Sequence, residues 1–149
     1  NITLPIIGRL RRGILIRHGD EDEVVRQAIT SLDMAVASPE QLVRQLSGGT
    51  QQKVVVAKWL QTHARLLLLS EPTRGIDVGA KVEMYRLMVD LARQGVGIVM
   101  VSSEMPEILG MSDRILVMHE GRITAEFSRE EATQEAIMAS AAGRVRSGT

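Results

Sequence analysis

The sequence predicts an α/β fold: a largely parallel sheet flanked by helices and finished by an antiparallel hairpin. Three features carry that prediction. Two short apolar runs, Leu66–Leu69 and Gly97–Val101, have the length and unbroken apolar character of strands buried in a parallel sheet. Stretches of helical periodicity separate them. Near the end, Ile115–Met118 and Ile123–Phe127 flank "HEGR", which reads as a hairpin with Gly121 in its turn.

Taken in order, the elements follow from local signals. After an irregular opening, Asp20 to Met34 is expected to be a helix. Asp20 and Glu23 make a capping pair, and Val24, Val25, Ala28, Ile29 and Leu32 fall on one face. Ser38-Pro39 interrupts the pattern. A second helix should start at Ser47-Gly48-Gly49 and turn Val54, Val55, Trp59 and Leu60 to the core. Asp77 to Gln94 reads as a helix ended by Gly95, with Val82, Tyr85, Met88, Val89 and Ala92 inward. Ser128 and Glu131 form a capping box that should open a last helix, closed near Gly143 and followed by a frayed tail.

Composition removes several function classes. At 149 residues the chain is long enough for a domain with a core. Lys+Arg and Asp+Glu are 18 each, a balance that argues against a nucleic-acid partner. Trp59, Tyr85 and Phe127 are the only aromatic residues, too few for a base-stacking platform. With no cysteine there is no disulfide framework and no thiolate chemistry, which fits a reducing compartment. The apolar opening, Ile2 to Ile16, is cut by Arg9, Arg11 and Arg12; it is too broken for a membrane span and has no signal-peptide cleavage pattern. The start at Asn1 fits either processing or a sequence cut from something longer.

Two stretches can carry chemistry. Glu71 stands just past the Leu66–Leu69 run, at the carboxyl edge where α/β sheets gather ligands, so it is a candidate catalytic base, with Ser70 beside it. In "LSGGTQQ", Leu46 to Gln52, Ser47 can cap a helix while Gly48 and Gly49 leave its first amides uncovered, which makes an anion site. A bare Ser-Gly-Gly is equally an ordinary helix start. His18, His63 and His119 share no ligand spacing, so no metal ligands are assigned. The methionines read as core filling, and Arg9, Arg11 and Arg12 as a solvated turn.

The order of these pieces resembles the ATP-binding-cassette (ABC) ATPases: "LSGG", then an apolar strand with "EPTRGID", then "VSSE", then "SDRILVMHEGRI". The wording "QQKVVVAKWL", "EPTRGIDVGAK" and "VSSEMPEILGMSDRI" is most similar to the second cassette of simple-sugar importers of the ribose type. The resemblance implies the C-terminal portion of a P-loop-NTPase-like cassette. Residues 1–45 would be the end of the helical subdomain and its approach to the signature, 46–143 the cassette core, and 144–149 a tail. It implies that Ser47, Gly48, Gly49 and Thr50 cover the γ-phosphate of ATP held by an opposing cassette. Glu71 would polarise the attacking water, and Asp77 would lie in the loop crossing the dimer interface, a role compatible with capping a helix. ATP and Mg²⁺ are the implied cofactors. A second cassette, membrane permease subunits and, indirectly, a periplasmic sugar-binding protein are the implied partners, with the protein peripheral on the cytoplasmic side of the membrane.

Four departures from the family pattern stand out. Thr50 replaces the Gln or Asn that closes the signature, and Ser103 occupies the position of the switch histidine. Ser70 replaces the Walker B aspartate, which degrades the Mg²⁺ seat. No G-x-x-x-x-G-K-[ST] occurs; "GIDVGAKV", Gly75 to Val82, has the wrong spacing and follows a loop. The Walker A half is then expected upstream of Asn1. Two other readings stay open: a non-catalytic, truncated ABC interaction module, and an ABC ATPase not coupled to transport.

Overall fold

The computed structural model describes residues 1–12, 15–16 and 18–143, and the chain divides into two units, Asn1–Val101 and Ser102–Thr149. The expectation of a frayed tail beyond Gly143 lies outside the described residues.

In the first unit the opening is more regular than expected. A 3₁₀ turn, Leu4–Ile6, leads into helix α1 (Ile7–Leu10) and an antiparallel ribbon of β1 (Arg11–Arg12) with β2 (Leu15–Ile16). Helix α2 spans His18–Ser31, so Asp20 does not cap it; Asp20 and Glu21 instead lie in its first turn, where acidic groups complement the helix dipole. The helix stops short of Met34 because Asp33 adopts a left-handed conformation, φ 46°. There the Asp33 amide donates to Thr30 O and the Met34 amide to Ile29 O, the paired bonds of a Schellman corner. Ala28 and Met34 then pack with Ile2, Val54 and Ala57 as one core cluster.

Helix α3 (Gly48–Leu60) packs on helix α4 (Val78–Arg93). Strand β3 (Leu66–Ser70) pairs in parallel with β4 (Gly97–Val101), in register from Leu66 opposite Gly97 to Ser70 opposite Val101. Gly95, at φ 87°, ends α4 as expected, with Val96 N donating to Leu91 O.

Three burial expectations need correction. Leu66–Leu69 is not buried on both faces: Leu67 is buried, but Leu68 is 74% exposed, and Val99 and Val101 beside it are exposed too. Among the described residues the parallel sheet has two strands, so alternate residues face outward. In α3, Val55 and Trp59 are exposed, and the inward stripe holds Lys53, Val54, Val56 and Ala57. In α4 the buried side is Met84, Met88 and Leu91, while Val82 and Val89 are exposed. Both helices carry apolar residues on more than one side, so periodicity placed Val54 and Met88 inward correctly but extended the inward set to exposed Val55, Trp59, Val82 and Val89.

The second unit contains α5 (Met105–Met111), a hairpin of β5 (Arg114–His119) and β6 (Arg122–Ser128), and α6 (Gln134–Ala141). Glu120 (φ 46°) and Gly121 (φ 76°) form a two-residue turn with both φ positive, which matches the twist of the flanking strands. Ile137 of α6 packs on Ile115 and Val117. The Ser128–Glu131 box forms, with Ser128 Oγ donating to Glu131 at 2.9 Å, but it closes a turn. Thr133, whose hydroxyl accepts from the Ala136 amide, caps the helix instead.

Hydrogen bonds from the Ser128 hydroxyl, then from its amide, hold the Glu131 carboxyl below the usual carboxylate range. A lowered folded-state value means stabilisation that is complete above the unfolded value and lost as pH falls through the folded one. Glu131→Ala is therefore expected to destabilise the chain at neutral pH. Thermal melts should show parent and variant converging as pH drops below the ordinary carboxyl value of 4.5.

Candidate functional site

Helix α3 starts at a capped, glycine-built corner. Ser47 is extended, and its Oγ accepts from the Thr50 amide at 3.3 Å while lying 3.0 Å from Thr50 Oγ1. The Gln51 amide donates to Ser47 O, and the Gln51 side chain donates to Leu46 O, each at 2.9 Å. The first amides of a helix have no intrahelical acceptor, and with the dipole they favour an anion.

Exposure separates the two glycines. Ser47 and Gly48 are exposed; Gly49 and Thr50 are buried. A Cβ on Gly49 would lie 2.5 Å from Ala80 Cβ, closer than side chains can approach, so glycine here lets α3 meet α4. A Cβ on Gly48 would lie 3.2 Å from Ile76 Cγ2 and 3.7 Å from Gly75 O. Gly48 thus leaves the helix start open, and Gly49 lets it pack. Thr50 turns inward against Ser47.

Asp77 is the N-cap of α4: its Oδ1 accepts from the Ala80 amide at 3.0 Å, and its carbonyl from the Lys81 amide at 2.9 Å. Because Gly48 lies against Ile76 and Gly49 against Ala80, the Asp77 cap sits beside the Ser47 cap. The structure therefore brings together Ser47, Gly48, Gly49, Thr50 and Asp77.

Glu71 stands at the other end of the same connection, just beyond β3. Its amide donates to Val101 O at 2.7 Å, adding a rung to the parallel ladder, and its carbonyl accepts from the Arg74 amide at 3.1 Å. The residue is half-buried, followed by buried Pro72 and Thr73, and its φ is 49°. A left-handed conformation costs a non-glycine residue about 1–2 kcal/mol, and strain of this kind gathers at functional positions. Ser70, exposed at the strand end, offers a hydroxyl where a metal seat needs a carboxylate. Among the described residues no group of three or more His, Asp or Glu side chains could hold a metal ion.

Ser103 is exposed in the second unit. It lies between Ser102, whose hydroxyl donates to the buried Glu107 carboxylate, and Glu104, whose amide donates to Ser102 Oγ at 3.0 Å. The sequence reading passed over Lys53. A lysine on the same stripe as Gly49 and Ala57 was the available signal, and the structure buries it at 6% exposure.

Residues 8–74 match the ABC transporter family model. The solved ABC transporter cassette MJ0796, in its dimeric form, superposes with a TM-score of 0.70 at 21% identity, covering 86% of this chain and 54% of that one. The cbiO1 protein of Clostridium perfringens, part of the ABC transporter complex cbiONQ, gives 0.71 at 20% identity, covering 93% and 53%. The chain shares the fold class of the ABC transporter ATP-binding cassettes. Within that class it is similar to the ribose import ATP-binding protein RbsA of Bacillus subtilis, 56% identical over 143 residues. It is likewise similar to the xylose import ATP-binding protein XylG of Geobacillus kaustophilus, 52% identical over 143 residues. Each match covers 96% of this chain, which spans 29% and 28% of the length of those relatives.

Two substitution pairs test the geometry. Gly49→Ala should destabilise the chain by about 1–3 kcal/mol in urea unfolding, as overpacking does, and Gly48→Ala by clearly less. At position 71, where both variants lack the carboxylate, Glu71→Gly should be more stable than Glu71→Ala by about 1 kcal/mol, the reverse of the usual order.

Proposed function

We propose that the chain is part of an ABC-type ATPase that couples ATP binding and hydrolysis to sugar uptake across the cell membrane. The supporting observation is the 56% identity over 143 residues to a protein named for ribose import, in a stretch that includes the α3–α4 corner. On this reading the exposed Ser47 and Gly48 form a cover for the γ-phosphate of ATP held by a second cassette. Ser47 Oγ accepts from the Thr50 amide, and with Thr50 Oγ1 as the donor across their 3.0 Å contact the Ser47 proton is left for a phosphate oxygen. Gly49 and Thr50 act from behind, one by letting α3 close on α4 and the other by bracing Ser47. Asp77 carries the connection toward the opposing cassette while capping α4.

Bound ATP supplies the phosphoryl group, and this chain's residues supply position and charge. Glu71 orients the attacking water by accepting its hydrogen bond, at a point fixed by the Val101 rung. No step is assigned to Mg²⁺, since Ser70 leaves its seat without a carboxylate. No helix among the described residues is long and apolar enough to cross a membrane. The proposed setting is peripheral, on the cytoplasmic face, against permease subunits that receive sugar from a periplasmic binding protein.

Ser70, Ser103 and the missing G-x-x-x-x-G-K-[ST] favour one narrower reading, in which this stretch covers a partner's nucleotide and hydrolyses none itself. Phosphate release by the purified chain is accordingly expected to stay at background. Saturable turnover lost in Glu71→Gln would instead make this chain a hydrolase in its own right.

The transport reading is tested by a chimera in which this chain replaces the matching 143 residues of the Bacillus subtilis relative. The chimera should restore ribose uptake. Gly48→Asp, which puts negative charge where the phosphate docks, should abolish uptake and ATP-dependent cross-linking of the two cassettes, while Gly48→Ala retains most of both. Normal uptake with Gly48→Asp would reduce the glycine pair to a helix start.

A further inference from the structure

We propose that Lys53 is a positioning residue: it sets the angle of α3 on α4 and so holds the exposed Ser47–Gly48 amides in place beside Asp77. This rests on the phosphate-covering reading of those amides. Lysine is almost never fully buried unless its ammonium is paired. Here the Nζ donates to Asp33 O at 2.8 Å and lies 3.1 Å from Glu83 Oε2. The first contact is to the left-handed Schellman corner that ends α2, the second to α4. One ammonium therefore ties together three helices.

Its place along α3 gives the contact its meaning. Gly49 and Lys53 are neighbours on one side of α3, four residues apart, and Ala80 and Glu83 are neighbours on one side of α4, three apart. The Gly49–Ala80 approach is one rung of the seam and the Lys53–Glu83 pair is the next. A single close contact is a pivot, about which α3 can swing; a second contact one turn along removes that freedom. A swing about Ala80 would move Ser47 and Gly48 relative to the Asp77 cap, although neither touches Lys53. The Asp33 carbonyl closes the geometry from the α2 side, so that rotation of the lysine stem is blocked as well.

Amide hydrogen exchange on the whole chain reads this directly. Thr50, Gln51, Ala80 and Lys81 close the first turns of the two helices, while Val96, at the far end of α4, and Ile137, inside α6 of the second unit, serve as reference amides. Lys53→Met should speed exchange at those four amides by about tenfold or more relative to the two reference amides, a local opening without global unfolding. Lys53→Arg, which keeps the charge and the donors, should return them to near the parent rate. If Lys53→Met does not fold, Glu83→Gln serves: its side chain is 57% exposed, and the variant should loosen the same four amides. Acceleration spread evenly over all amides, or none, or no recovery in Lys53→Arg, would overturn the proposal.

The functional arm uses the chimera. Lys53→Met should lower ATP-dependent cassette cross-linking by about tenfold, with Lys53→Arg restoring it, as expected when preorganisation of a binding group is lost. Unchanged cross-linking would also overturn the proposal. If Gly48→Asp leaves uptake normal while the selective exchange pattern holds, the phosphate reading alone has failed, and Lys53 orders a corner with another use.

Discussion

The approach of Gly49 to Ala80 is the constraint on which the first unit depends. Two helices can come this close only where one offers no side chain, and the opposing residue is itself an alanine. With that contact made, the capped starts of α3 and α4 lie side by side, and the Ser47 and Asp77 caps face the same corner. Everything assigned to the site other than Glu71 hangs from it. The same packing explains the burial of Thr50, since a helix start pressed against a neighbour must turn its third residue inward.

Glu71 depends on a different device. The parallel ladder carries one rung past the end of β3, and the chain then turns through a left-handed residue directly before a proline. Either restriction alone is tolerable; together they leave the carboxylate's backbone little freedom. For the proposed role of orienting a water such rigidity is an advantage, because positional error at a reacting centre costs rate steeply. Ser70 beside it gains nothing of the kind: it is exposed and neutral, and its hydroxyl cannot substitute for charge. In this half of the site the backbone of the carboxylate is fixed, while its neighbour offers only a neutral hydroxyl.

The α/β class, the β3 and β4 strands, the hairpin turn at Gly121 and the end of α4 at Gly95 were all legible, because each rests on a local signal. What the sequence could not give was which side of a helix lies inward. In α3 both Val54 and Val55 are apolar, and only the position of α4 decides that Val55 faces out. The start of α2 was misplaced for a related reason: Asp20 suits either a cap or a first turn, and the helix extends back to His18. For the site, the residues that touch ligands in the family stood out through their motifs. Lys53 did not, since a lysine among glutamines and valines reads as a surface residue until its two acceptors, one in the corner after α2 and one on α4, are placed around it.

The apolar row on the outer side of the two-stranded sheet has a consequence for the fate of the chain before and after folding. Leu66 to Leu69 is a neutral, strand-forming run, with Leu66 and Leu68 exposed. Sequences of that kind seed pairing between copies. Arg65 stands immediately before the run, and Glu71-Pro72 almost immediately after it. A charge on each side and a proline that cannot donate to a ladder are gatekeepers against such stacking. The turn that rigidifies the candidate catalytic carboxylate thus also guards this exposed leucine run, so loss of Pro72 would be felt first as insolubility.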